Sequence, residues 1–287
     1  MTRAAQSAGA DSLPVLGTIL SGYGAAARLI APCTLLAAVA SVLVVGVASA
    51  AEALLHLGRD ARAHYTLAAA LRYETQGLIL VCLQTFAEAP LVVFVYRTVI
   101  LGETLRWRSL GRIGRREMRV FAMTIILDFP LLILKRVTLL TINLGVAPLL
   151  LRQAFAAIGS LYLRLIASDV TSHLLYAALV APFFSMVFPL AALDSGRGLL
   201  RQSVRLSRGH RTRLAMLAFL APIPITALSY LPWYLAGTGS MSIRNLLLWV
   251  MGSALEFLNS AFTVAVIATA YRRISDHRHR GTVEVFD

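Results

Sequence analysis

Residues 29–51 read LIAPCTLLAAVASVLVVGVASAA, 23 consecutive positions without a charged side chain. A helix rises 1.5 Å per residue, so a run of this length covers the ~30 Å hydrocarbon core of a bilayer. Arg28 stands immediately before it and Glu52 immediately after, so charge begins where hydrocarbon would end. Working outward, the chain offers five more apolar segments, at about 77–101, 118–142, 170–193, 214–236 and 245–271. The expectation is an all-α polytopic transmembrane bundle of six crossings, forming one integral membrane domain over 1–287.

Composition supports this. Of 287 residues, 58% are hydrophobic and 14% charged, against about 45–50% and about 25% in soluble domains. Intrinsic disorder is excluded by the long apolar runs, and two cysteines are too few for a disulfide-stapled secreted fold. The 27 Lys+Arg against 14 Asp+Glu give a formal +13, which in a soluble protein would suggest nucleic acid. Placement argues instead for topology, because the arginines gather in short blocks beside apolar segments. Ala48-Ser49-Ala50 resembles a signal-peptide cleavage site, but the apolar run before it exceeds the ~7–15 residues of a signal core, so no cleavage is expected.

Orientation follows from the basic loops. Segment 102–119 carries Arg106, Arg108, Arg112, Arg115, Arg116 and Arg119, and segment 194–213 carries Arg197, Arg201, Arg205, Arg208, Arg211 and Arg213. Both are expected on the cytoplasmic side, as are the N-terminus and the C-terminal tail with Arg272, Arg273, Arg278 and Arg280. Loop 52–76 balances Arg59, Arg62 and Arg72 against Glu52, Asp60 and Glu74 and belongs outside. Between 135 and 169, Lys135, Arg136, Arg152 and Arg164 interrupt apolar sequence; parity makes 143–169 an external interfacial helix or re-entrant piece, the alternative being a seventh crossing.

Arg28-Leu29, Arg119-Val120 and Arg213-Leu214 each open a crossing, and each follows a glycine by four or five residues: Gly24, Gly114 and Gly209. Upstream of each lies helical apolar periodicity: Leu16, Ile19, Leu20 and Tyr23; Leu105, Leu110 and Ile113; Leu199, Leu200 and Val204. The repeating unit reads as an amphipathic cytoplasmic elbow helix, a glycine bend and a transmembrane hairpin, three times over. Tyr230, Trp233 and Tyr234 at the outer end of the fifth crossing, with Tyr96 and Tyr271 near inner ends, agree with that placement.

The run from Phe188 through Asp194, Ser203, Ser207 and Gly209 to His210 resembles a pattern in a bacterial six-helix family. That family is related to the membrane domain attached to some glycerophosphodiester phosphodiesterases, with stand-alone members. In it a crossing ends in an acid near a glycine, then come an amphipathic helix bearing a serine and a small-x-Gly turn. The phrase Tyr96-Arg-Thr-Val-Ile-Leu-Gly-Glu103 is similar to another run in such proteins. The resemblance implies a six-helix bacterial inner-membrane fold with cytoplasmic elbows. It does not carry over the hydrolase, because the crossings use nearly the whole chain.

Three acids fall near the bilayer midplane: Glu88, Asp128 and Glu256. An ionised acid there costs ~2.5–3.5 kcal/mol on insertion scales, so each must be neutral, paired or facing water. Pro90 and Pro130 follow two of them by two residues, and acids beside a helix break are a transporter device. They are candidates for an ion path; the bland reading is carboxyls tying helices together, with Arg97 as one partner. Pro182 and Pro189 should bend the fourth crossing and Pro222, Pro224 and Pro232 the fifth. The six histidines, His56, His64, His173, His210, His277 and His279, have no metal-ligand spacing. No hydrolase elbow, P-loop or zinc-protease motif is present. No metal, cofactor or catalytic residue is expected. Cys33 and Cys82 lie at different depths and should be free thiols.

These readings point to a non-catalytic membrane protein whose basic elbows contact anionic lipid, a membrane-protein partner or a second copy. Arg106, Arg112, Arg115, Arg116, Arg201, Arg205 and Arg208 would carry that contact. The competing expectation is a proton- or cation-coupled transporter using Glu88, Asp128 and Glu256.

Overall fold

The structure, a computed structural model, describes residues 13–55, 67–103, 113–143, 170, 173–193, 198–236 and 242–283. Every regular element among them is helical. In chain order these are α1 (Val15–Arg28), α2 (Ile30–Leu55), α3 (Leu67–Leu101), α4 (Arg115–Asn143), a π-helical turn (Tyr176–Val180), α5 (Ala181–Phe184), α6 (Val187–Ala192), α7 (Leu199–Ser207), α8 (Arg211–Leu220), α9 (Ile223–Ala236) and α10 (Ile243–Val283).

Among the described residues, four helical stretches are long and apolar enough to cross a membrane: Ile30–Val47, Val81–Leu101, Arg211–Pro232 and Ile243–Asp276. They coincide with the first, second, fifth and sixth expected crossings. The third falls in α4, whose apolar stretch is bounded by Arg119 and Lys135 and interrupted by Asp128. The fourth, 170–193, is not one continuous helix. A π-helical turn precedes Pro182, a turn at Ser185 and Met186 precedes α6, and Pro189 removes another helical N–H. The fifth likewise breaks at Ala221 and Pro222, between α8 and α9, as its prolines predict. Of the region 135–169, the structure describes only the end of α4; the expected interfacial helix over 143–169 lies outside the described residues apart from Asn143.

The bundle is organised around α10, which packs against α9, α2, α1 and α3. Residues 265–270 of α10 are buried on six consecutive positions, so all sides of the helix are covered there. Ala261, Ala265, Ala268 and Ala270 make this possible, because small side chains let neighbouring helices come close in a setting where lipid is as apolar as leucine. One apolar cluster joins α10 to α2 and α3 through Cys33, Ala37, Leu91, Val95 and Phe257. A larger one joins α10 to α6, α7 and α8 through Val266, Met186, Leu190, Leu199 and Leu214. Cys33 and Cys82 are free thiols.

The N-terminal helix α1 fits into this bundle edgewise. Thr18, Gly22 and Ala26 are its buried residues, four apart and therefore on one face. A Cβ at Gly22 would lie 2.5 Å from the Cα of Val266, so α1 and α10 meet backbone to backbone. Arg273 Nη1 donates to Thr18 Oγ1 at 2.9 Å. Tyr23 stacks edge-on to Phe262 with ring centroids 5.1 Å apart, and its hydroxyl donates to the carbonyl of Ala221 at the α8–α9 break. Burial raises the Tyr23 hydroxyl above its ordinary range, which keeps it a donor. Leu16 and Leu20, at 72% and 71% exposure, face away from the bundle.

The three glycines expected to bend the chain behave differently. Gly209 has φ 92° and does turn it. Gly24 sits inside α1, and the break comes five residues later at Leu29 (φ −102°, ψ 8°). Pro32 explains the position: it lacks the N–H that would bond to the Arg28 carbonyl, and its ring crowds that carbonyl. Gly114 precedes α4, where its N–H donates to Glu117 Oε2 at 2.8 Å in half of a capping box.

Candidate functional site

The basic elbow at 194–213 is described from residue 198 onward. Helix α7 begins after Gly198 (φ 82°) and ends before Gly209 (φ 92°). Both glycines hold left-handed backbone that a side chain would strain. Between them, Leu199, Ser203 and Ser207 are buried on one face. Ser203 Oγ donates to the Phe183 carbonyl at 2.9 Å, and Ser207 Oγ approaches the same oxygen at 3.4 Å. Two hydroxyls therefore clamp α7 to the end of α5. The clamp fixes the opposite face outward, and Arg201, Arg205 and Arg208 are exposed.

Beyond Gly209, the guanidinium of Arg211 lies 4.6 Å over the Phe183 ring, so the same residue receives both hydroxyls on its backbone and a cation on its ring. Of the other elbow arginines, Arg115 is exposed and Arg116 half-buried at the start of α4. Arg106 and Arg112 lie outside the described residues. The residues carrying the family resemblance have definite local roles: Ser203 and Ser207 bond inward and Gly209 turns the chain, while Asp194 lies outside the described residues. In the second window, Tyr96 is buried and Gly102 (φ 68°) ends α3 by returning its N–H to the Thr98 carbonyl at 3.0 Å. That turn brings Glu103 back onto Arg97 in a two-point ion pair, with Arg97 Nε donating to Glu103 Oε2 at 2.7 Å. Arg97 thus pairs with Glu103, at the helix end.

Two of the three acids expected near the midplane, Glu88 and Glu256, come together. Gln84 Nε2 donates to Glu88 Oε1 at 3.2 Å, four residues on along α3, and to Glu256 Oε2 at 3.3 Å on α10. One amide nitrogen has two hydrogens, so the donor capacity of Gln84 is divided between the two carboxyls. One turn further along α10, Asn259 Nδ2 donates to Thr226 Oγ1 of α9 at 2.8 Å. Polar side chains thus link α3, α10 and α9 within apolar surroundings. Asp128 lies in α4, and nothing of its side chain is described. Gln84 was missed in the sequence; its signal is the spacing of four to Glu88, which puts both on one helical face. The link to Glu256 spans 172 positions and has no local signature. Among the described residues no cluster of three or more His, Cys, Asp or Glu is placed to hold a metal.

A bundle whose described residues are all helical in their regular structure and carry four apolar, membrane-length helices is a membrane protein of the polytopic α-helical class. Comparison with family models, with characterised proteins and with solved structures finds no match.

Proposed function

We propose that the chain is a six-crossing bacterial inner-membrane protein with both ends cytoplasmic, which organises the membrane or a membrane complex by presenting basic elbow helices to anionic lipid or to a partner subunit. The observation that carries this reading is α7. Its inner face is fastened by Ser203 and Ser207 to Phe183, and its outer face holds exposed Arg201, Arg205 and Arg208. A cation at the headgroup level of an anionic leaflet contributes about 1 kcal/mol, and a helix fixed in place presents several together.

A threefold arrangement of elbows is part of the proposal. Thr18, Gly22 and Gly24 recur as Ser203, Ser207 and Gly209 with identical spacing, and in both helices the first two are buried. Tyr96-Arg97 near the end of α3 recurs as Tyr271-Arg272 in α10. Helix α7 packs on α5 and α6, the crossing before it, while α1 packs on α10, the last crossing. That is the contact expected if the repeats close into a ring. Kinship with the six-helix phosphodiesterase-associated membrane family belongs to the same proposal and rests on the sequence pattern of Asp194, Ser203, Ser207 and Gly209.

The test is flotation of the purified protein with vesicles containing phosphatidylglycerol, compared with phosphatidylcholine alone. Combined Arg112→Ala, Arg115→Ala, Arg201→Ala and Arg205→Ala should abolish the preference for anionic vesicles; full retention of both lipid preference and partner recovery would refute it. A second reading, a proton- or cation-coupled transporter, is favoured by the Gln84 bridge between Glu88 and Glu256. It requires Glu88→Gln with Glu256→Gln to eliminate pH-dependent flux in proteoliposomes, whereas an organising protein tolerates both.

A further inference from the structure

We infer that the break between α7 and α8 is a binding site for a phosphate-bearing anion, supplied either as the phosphodiester of a lipid headgroup or as free phosphate. The inference rests on the reading of the elbows as anion-contacting surfaces and narrows it to one place. Arg208, Gly209, His210, Arg211, Thr212 and Arg213 line an open depression of about 360 Å³. Three guanidiniums within six residues repel one another. Among the described residues, neither Arg208 nor Arg213 has an ion pair that would relieve this. Arg211 is oriented beforehand by the Phe183 ring.

The backbone adds to the same field. The first intrahelical bond of α8 runs from Leu214 N–H to the His210 carbonyl, so the N–H groups of Arg211, Thr212 and Arg213 have no acceptor within their own helix. His210 supplies no side-chain cap. The positive end of the helix dipole disfavours cations at this end, yet two arginines occupy the first turn. An anion among them turns each repulsion into an attraction. Guanidinium suits phosphate geometry because it donates two parallel hydrogen bonds, and the Thr212 hydroxyl is a further donor. No atom lies within 4 Å of a Cβ built at Gly209, leaving the turn open to a ligand. The site sits at the start of the apolar stretch Arg211–Pro232, the depth at which lipid phosphodiesters lie.

The experiment uses the full chain in nanodiscs and in detergent. Combined Arg208→Gln, Arg211→Gln and Arg213→Gln should weaken phosphatidylglycerol or inorganic phosphate binding about tenfold or more. Arg201→Gln with Arg205→Gln should change it less, and Lys at the three pocket positions should restore part of the loss. If the pocket and outer-face variants lose affinity equally, the local site is refuted while the general basic-elbow reading stands; if neither set loses any, both fail. Binding of phosphatidylglycerol alone assigns the headgroup, and competition by phosphate assigns the free anion. Should the triple Gln variant not fold, phenylglyoxal modification of the wild-type protein decides. Inorganic phosphate must slow modification of Arg208, Arg211 and Arg213 but not of Arg201, and equal rates with and without phosphate overturn the site.

Discussion

Gly22 and Gly24 are two residues apart in one helix and answer to different constraints. The Cβ that alanine would add at Gly22 falls 2.5 Å from the Val266 Cα and 2.8 Å from its nitrogen, and backbone cannot rotate away as a side chain can. At Gly24 nothing lies within 4 Å. Gly22→Ala should therefore push α1 off α10 and destabilise by about 1–3 kcal/mol, as overpacking does. Gly24→Ala should be neutral or stabilise by about 0.5–1 kcal/mol, because alanine loses less freedom than glycine in a helix. Denaturant titration in detergent distinguishes them, and equal effects would show that the close approach of α1 to α10 is wrong. Hydropathy could not reveal this. The periodicity of Leu16, Ile19, Leu20 and Tyr23 defines one apolar face, but Leu16 and Leu20 point away from the bundle while Thr18, at 0% exposure, points in. In a membrane an apolar residue is as well placed in lipid as in protein, so small residues mark the packed face instead.

Among elements, α7 is held to the bundle along one face. Its nine residues are flanked by left-handed glycines, and its anchor is the pair of hydroxyls at the Phe183 carbonyl together with Leu199. Ser203→Ala should remove about 0.5–1.5 kcal/mol of net hydrogen bonding, and Ser207→Ala less, given its longer 3.4 Å approach. The double variant should raise amide exchange across 199–207 without altering exchange in α10; protection unchanged across α7 would refute the clamp. Crossings one, two, five and six were legible because each keeps a membrane-length apolar stretch. The expected third and fourth crossings are not among the membrane-length apolar helices, for opposite reasons. In α4 the charges of Arg119, Asp128, Lys135 and Arg136 divide the apolar run, whereas 173–192 is apolar but interrupted by its prolines and a π-helical turn. Of the polar site, the individual acids were visible as misplaced charge, but their meeting at Gln84 depends on how α3 and α10 pack.

At the scale of the molecule, α10 ties the N-terminal elbow to one of its own two ends. The stretch Ile243–Asp276 spans roughly 50 Å at 1.5 Å per residue, more than the ~30 Å of hydrocarbon, so its two ends emerge on opposite sides. Arg273 near one end bonds to Thr18 of α1, which puts the N-terminal elbow level with the end of α10 that carries Arg272 and Arg273. If the basic-loop rule holds, that level is cytoplasmic and the start of α10 is external. The prediction is read with single cysteines at exposed sites in a background of Cys33→Ala and Cys82→Ala: Ser21→Cys in α1, Gln202→Cys in α7, Ser242→Cys before α10 and Asp276→Cys near the end of the apolar stretch. A membrane-impermeant maleimide applied from the external face should label Ser242→Cys, and the other three only after permeabilisation. Labelling of Ser21→Cys and Asp276→Cys from opposite sides would break the contact between α1 and α10. Labelling of Ser21→Cys, Gln202→Cys and Asp276→Cys from outside, with Ser242→Cys protected, would leave the bundle intact and invert it, removing the anionic inner leaflet as the surface that the arginines meet.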